Sequence, residues 1–69
     1  MSFQVGQKVR ATARPPRSLL SAWERLTNDH GRGPYRVRGV HPKHEDGQLA
    51  YIETPRGSTM VDASILEAN

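Results

Sequence analysis

The stretch from Tyr35 to Thr54 constrains this chain more than any other, because it reads as a β-hairpin. Its first arm is Tyr35-Arg36-Val37-Arg38-Gly39-Val40, and its second is Gln48-Leu49-Ala50-Tyr51-Ile52-Glu53-Thr54. Between them His41-Pro42-Lys43-His44-Glu45-Asp46-Gly47 is a polar tip that ends in an Asp-Gly turn signal. In the first arm Tyr35 and Val37 share one face of an extended strand, and Arg36 and Arg38 share the other. Gly39 interrupts this alternation and leaves Val40 out of phase with Val37, which predicts a β-bulge or a bend at the glycine. A strongly bent hairpin is what a small closed barrel requires.

The 69 residues suffice for one domain, 1–69, since a chain this short buries only about 60% of the surface its unfolded form exposes. With 35% hydrophobic residues, one Trp and one Phe, the core must be compact, and self-association is a plausible source of added stability. The absence of cysteine excludes disulfides and thiolate metal sites. Met1 to Gly6 lacks the basic start and apolar run of a signal peptide, and no long apolar run follows. The expectation is a soluble, unanchored, cytoplasmic protein.

On the N-terminal side of the hairpin, Gly6-Gln7 reads as a bend after the apolar anchors Phe3 and Val5. The strand then alternates, with Val9, Ala11 and Ala13 on one side and Lys8, Arg10 and Thr12 on the other. Arg14-Pro15-Pro16-Arg17 ends it, because proline cannot donate to a ladder. A short helix follows, with Ser18 or Ser21 as its cap and Ser21-Ala22-Trp23-Glu24 as a capping box. Leu19, Ala22, Trp23 and Leu26 form its apolar stripe, suited to plugging an open end of the barrel, and it stops near Asn28 to Gly31. Gly31-Arg32-Gly33-Pro34 then loops into the hairpin. Beyond the hairpin, Pro55-Arg56-Gly57-Ser58 is a tight turn and Thr59-Met60-Val61 a short strand. Asp62 or Ser64 starts a helical turn that returns Ile65 and Leu66 to the core.

This order of elements resembles an SH3-like barrel over the whole chain. Phe3-Gln4-Val5-Gly6-Gln7-Lys8-Val9-Arg10 is similar to the opening of many bacterial SH3-like domains, and Val61 to Glu67 is similar to their closing strand and turn. The resemblance implies a mainly β, SH3-like five-stranded small barrel with one short helix in the long first loop and a short helical turn before the last strand. It is the kind of domain found in bacterial, plasmid or phage accessory proteins. The opening and ending also resemble the plasmid-borne type II dihydrofolate reductases, tetramers whose pore is lined by a Val-Gln-Ile-Tyr strand. That strand would fall on Ser58-Thr59-Met60-Val61, where Thr59 replaces the Gln and Val61 the Tyr. The resemblance therefore implies a shared fold without the groups that orient folate and nicotinamide.

Catalysis has no positive support in the sequence, and no cofactor is expected. His41 and His44 beside Glu45 and Asp46 carry metal-ligating chemistry. Pro42, however, opposes the helical turn that would align the two rings, so a solvated tip is the favoured reading. Glu24, Asp29 and His30 offer an acid and a base but no nucleophile, and Gly31-Arg32-Gly33 is too short for a nucleotide-binding fingerprint.

Two binding readings remain, from different classes of partner. Residues 1–43 carry nine Lys or Arg against Glu24 and Asp29, a balance of +7, while residues 44–69 carry Arg56 against five acids, a balance of −4. Either the folded domain has a basic and an acidic face, or the charges interleave. Lys8, Arg10, Arg36 and Arg38 project from neighbouring strands and Arg14, Arg17 and Arg32 from the long loop, a pattern suited to tracking phosphates. The four aromatic side chains Phe3, Trp23, Tyr35 and Tyr51 all have plausible core positions, which leaves that face without stacking platforms. Protein binding is the leading reading, through a groove between the long loop and the hairpin tip or through an open edge strand. Its candidate contacts are Trp23, Leu20, His41 and His44, and the partner is another protein or a second copy of the chain.

Overall fold

The computed structural model describes residues 3–42 and 47–69. In chain order it contains β1 (Lys8–Ala11), a 3-10 turn (Arg17–Leu19), α1 (Leu20–His30), β2 (Tyr35–Pro42), β3 (Gln48–Thr54), β4 (Gly57–Asp62), a second 3-10 turn (Ala63–Ile65) and β5 (Leu66–Ala68). The five strands form one antiparallel sheet in the order β4-β3-β2-β1-β5. The protein is mainly β, with its helix in the long first connection and a 3-10 turn before the last strand, as the sequence predicts.

The hairpin is the centre of the sheet. The β2–β3 register runs from Arg36↔Glu53 to Pro42↔Gln48 and shifts between Val37 and Gly39, which is the bulge expected at the glycine. On its inner face Val37 and Ile52 are fully buried opposite one another. Val9 from β1 and Ile65 from the second 3-10 turn complete this centre, again with no exposed surface. Burial of each such side chain contributes roughly 1.5–3 kcal/mol. Asp62 starts the turn that delivers Ile65, its carboxylate accepting from the Ser64 N–H at 2.9 Å. The Thr12 N–H then donates to the Ile65 carbonyl and ties the turn to β1.

Leu26 of α1 is buried, and Leu19 and Trp23 pack against the core from the same stripe. Ala22, the fourth member of the predicted stripe, is exposed. The predicted capping box does not form. Pro16 accepts from the Leu19 N–H and Arg17 from the Leu20 N–H, so a 3-10 turn runs straight into the helix and places Ser21 inside its first turn. Neither Ser18 nor Ser21 caps the helix. At the other end the Gly31 N–H closes on Thr27, and the buried Tyr35 hydroxyl donates to the Gly31 carbonyl, burial pushing its phenol pKa up.

The first strand is shorter than predicted. Ala13 is exposed because the chain leaves the sheet after Ala11, and Val5, expected as an anchor, is 64% exposed. Phe3 is buried, held by a Gln48 side chain that accepts from its N–H and donates to its carbonyl. Among the described residues, no helix is long and apolar enough to cross a membrane.

Candidate functional site

The pleat that buries Val37, Ala50 and Ile52 turns the alternate residues outward, and these make the outer face of the sheet. From one edge to the other, β5 contributes Glu67, β1 contributes Arg10 and Lys8, β2 contributes Arg36 and Arg38, and β3 contributes Glu53 and Tyr51. Met60 of β4 lies directly across from Tyr51. Register places Lys8 opposite Arg36, so two cations share one non-local strand pair. Like charges so placed repel, and Glu53, which register sets on the other side of Arg36, is drawn to Arg38 at 3.4 Å.

The charges of the two halves partly interleave. Arg10 donates through Nε and Nη2 to Glu67 at 3.0 and 2.8 Å, and Arg38 reaches Glu53 at 3.4 Å. Glu67 also accepts from the Ala13 N–H at 2.9 Å. That backbone bond, followed by Arg10 and Thr12, holds its carboxyl below the usual carboxylate range. The Arg10–Glu67 pair therefore fixes the start of the long connection to β5. Lys8 and Arg36 are exposed and have no ion-pair partner among the described residues.

The basic residues of the long connection are dispersed. Arg14 and Arg17 are exposed between β1 and α1. Arg32 places its guanidinium 5.3 Å from the centre of the Trp23 ring, a cation–π contact. Trp23 itself is half-buried, and its Nε1–H donates to the Thr12 carbonyl at 2.9 Å. Its polar handle is thus satisfied and one ring face covered, so it pins the connection to the end of β1. Leu20 is 42% exposed at the start of α1. His44, with Glu45 and Asp46, lies outside the described residues.

The aromatic side chain that the sequence reading assigned to the core, and the structure does not, is Tyr51. It is 38% exposed on the outer face, beside Met60 at 47%. His41, also exposed, meets the Tyr51 ring edge-on with centroids 6.2 Å apart. Gly39 faces Tyr51 across the strands and leaves its ring flanked by bare backbone. The signal was in the alternation: Tyr51 has the parity of Glu53, opposite to Ala50 and Ile52. His41 entered as a tip residue and in fact extends β2 beside Leu49.

Clefts open at the two borders of this face. One of about 270 Å³ separates Leu26, Asp29 and His30 of α1 from Thr59–Asp62 of β4. The other, about 430 Å³, is bounded by Arg10, Arg32, Glu67 and Asn69. His30 Nδ1 is buried with no hydrogen-bond partner among the described residues. Of the acid–base trio considered above, Asp29 and His30 line the first cleft and Glu24 is exposed elsewhere on the helix. No cluster of three metal-ligating side chains occurs among the described residues. Comparison of the chain with protein-family models, curated protein sequences and solved structures finds no match.

Proposed function

We propose that this chain is a non-catalytic SH3-like binding module that holds nucleic acid on the outer face of its sheet. The SH3-like assignment rests on the strand order β4-β3-β2-β1-β5, the long first connection and the 3-10 turn before β5. The observation that carries the nucleic-acid reading is the Lys8–Arg36 pair, two exposed cations held opposite each other by β1–β2 register and without an ion-pair partner among the described residues. A bridging phosphate relieves their repulsion and releases condensed counterions, a gain that grows as salt falls. Arg38, held loosely by Glu53 at 3.4 Å, extends the same row along β2. A reductase activity is not part of this reading, since Thr59 and Val61 stand where folate and nicotinamide would need Gln and Tyr.

Fluorescence anisotropy of labelled oligonucleotides, titrated at low and moderate salt, tests the proposal. Affinity is expected to fall linearly in log salt. The double variant Lys8→Glu, Arg36→Glu should lower the magnitude of that slope by about 0.7–0.9, the loss of the one bridged phosphate. Absence of binding by the parent protein at low salt refutes it.

A second reading, docking of a protein on the β4 edge, is favoured by one observation. β4 is an edge strand flanked by the α1 cleft and by exposed Met60, the setting in which an extended segment adds to a sheet. Trp23, the expected anchor for a partner, does not favour it, because Arg32 and Thr12 already occupy the ring face and the indole N–H.

A further inference from the structure

We infer that Tyr51 and His41 form a base-stacking platform beside the Lys8–Arg36 phosphate site, which makes the outer face selective for single-stranded over duplex nucleic acid. The inference rests on the reading proposed above and specifies its substrate class. Tyr51 lies two residues along β3 from Glu53, the residue that faces Arg36, a separation of roughly 7 Å along the strand. A nucleotide whose phosphate is held by Lys8 and Arg36 can therefore lay its own or its neighbour's base on the phenol ring. Nothing on the opposing strand obstructs it, since the residue across from Tyr51 is Gly39. His41 stands at 65° to the ring, so its edge supports Tyr51 while the phenol keeps 38% of its surface open. Met60 on the far side extends the apolar floor toward β4.

The ring lies beside Gly39 and meets His41 at its edge, and the rest of it faces solvent between acidic Glu53 and half-buried Leu49. Duplex DNA or RNA cannot use such a ring, because its bases are already stacked and only its phosphates and groove edges are presented. Single strands offer a π-face at every nucleotide, and each aromatic contact is worth about 1–3 kcal/mol, a factor of about 5 to 150 in affinity. Glu53 is the carboxylate nearest this site, and its bond to Arg38 keeps part of its charge neutralised.

The experiment compares a labelled single-stranded oligonucleotide with its duplex, using the parent chain, Tyr51→Ala and Tyr51→Phe. The parent is expected to bind the single strand more tightly. Tyr51→Ala should weaken single-strand binding about ten-fold with the salt slope unchanged and duplex binding unaffected, while Tyr51→Phe retains parental affinity. A thermal melt of each variant identifies any loss that comes from unfolding, and His41→Ala, at an exposed position, provides an independent two- to five-fold weakening on the single strand alone. Equal loss on single strand and duplex, or no loss on either, overturns the stacking platform and leaves the phosphate site intact. If the parent binds neither, the phosphate site and the platform fail together.

Discussion

Replacing Gly33 by alanine should unfold more of this protein than its exposed position implies. Gly33 has φ +106°, and a Cβ there would lie 3.2 Å from Arg10 Cα, Val9 O and Tyr35 Cδ2. The first two atoms are β1 backbone, and β1 is fixed on both sides by pairing with β2 and β5, so they cannot retreat. The positive φ costs about 1–2 kcal/mol for a residue with a Cβ. The forced shift of packed backbone adds about 1 kcal/mol. Together these remove about 2–3 kcal/mol from a 69-residue domain whose whole stability is about 3–10 kcal/mol. At about 4–8 °C per kcal/mol, the melting temperature should fall by roughly 8–24 °C. Gly39→Ala is the internal control: its Cβ would meet only Tyr51 side-chain atoms at 3.7 and 3.9 Å, ordinary contacts. That substitution should be neutral or stabilise by about 0.4–1 kcal/mol. Thermal and urea melts followed by far-UV circular dichroism measure both. A Gly33→Ala melt within a few degrees of the parent, or a Gly39→Ala loss as large, would show that the close approach of the Arg32–Pro34 loop to β1 does not govern stability.

Two further outcomes test the contacts that hold the long connection. Glu67 has its carboxyl pKa lowered, chiefly by the Ala13 N–H and then by Arg10, so the unfolded chain takes up its proton first as pH falls. Its contribution is present at neutral pH and lost as pH drops from the ordinary carboxylate value through the lowered one. Glu67→Gln should therefore flatten the acid limb of a stability-against-pH curve, and an unchanged limb would remove Glu67 from the account. Trp23→Phe keeps a ring near Arg32 but deletes the bond to the Thr12 carbonyl, costing about 1–2 kcal/mol in urea melts, and a cost near zero would mean that solvent satisfies Thr12 equally well.

The hairpin, its bulge and the apolar stripe of the helix, save Ala22, were legible because each follows from local rules. Side-chain parity in Tyr35-Arg36-Val37 assigns faces, a glycine out of phase marks a bulge, and an Asp two residues before a Ser starts a tight turn. The Ser21–Glu24 capping box was misread for an equally local reason. Pro16 and Arg17 opened the helix one turn earlier through backbone bonds, and a capping motif has no force once its serine lies inside the helix.

The candidate site was legible only in its parts. The sequence by itself determined that Arg36 and Arg38 share one face of their strand and Lys8 and Arg10 another, since a period of two is intrinsic to extended backbone. It could not determine that Lys8 stands opposite Arg36, that Glu67 takes Arg10 and Glu53 takes Arg38, or that Arg32 covers Trp23. These are contacts between residues far apart in the chain, or across a turn, decided by β1–β2, β1–β5 and β2–β3 register and by the path of the long connection. Tyr51 shows the difference most directly. Its ring chemistry suits a core as well as a surface, and only the sheet, by burying Ala50 and Ile52 on the opposite side of β3, turned it to solvent beside His41 and Met60.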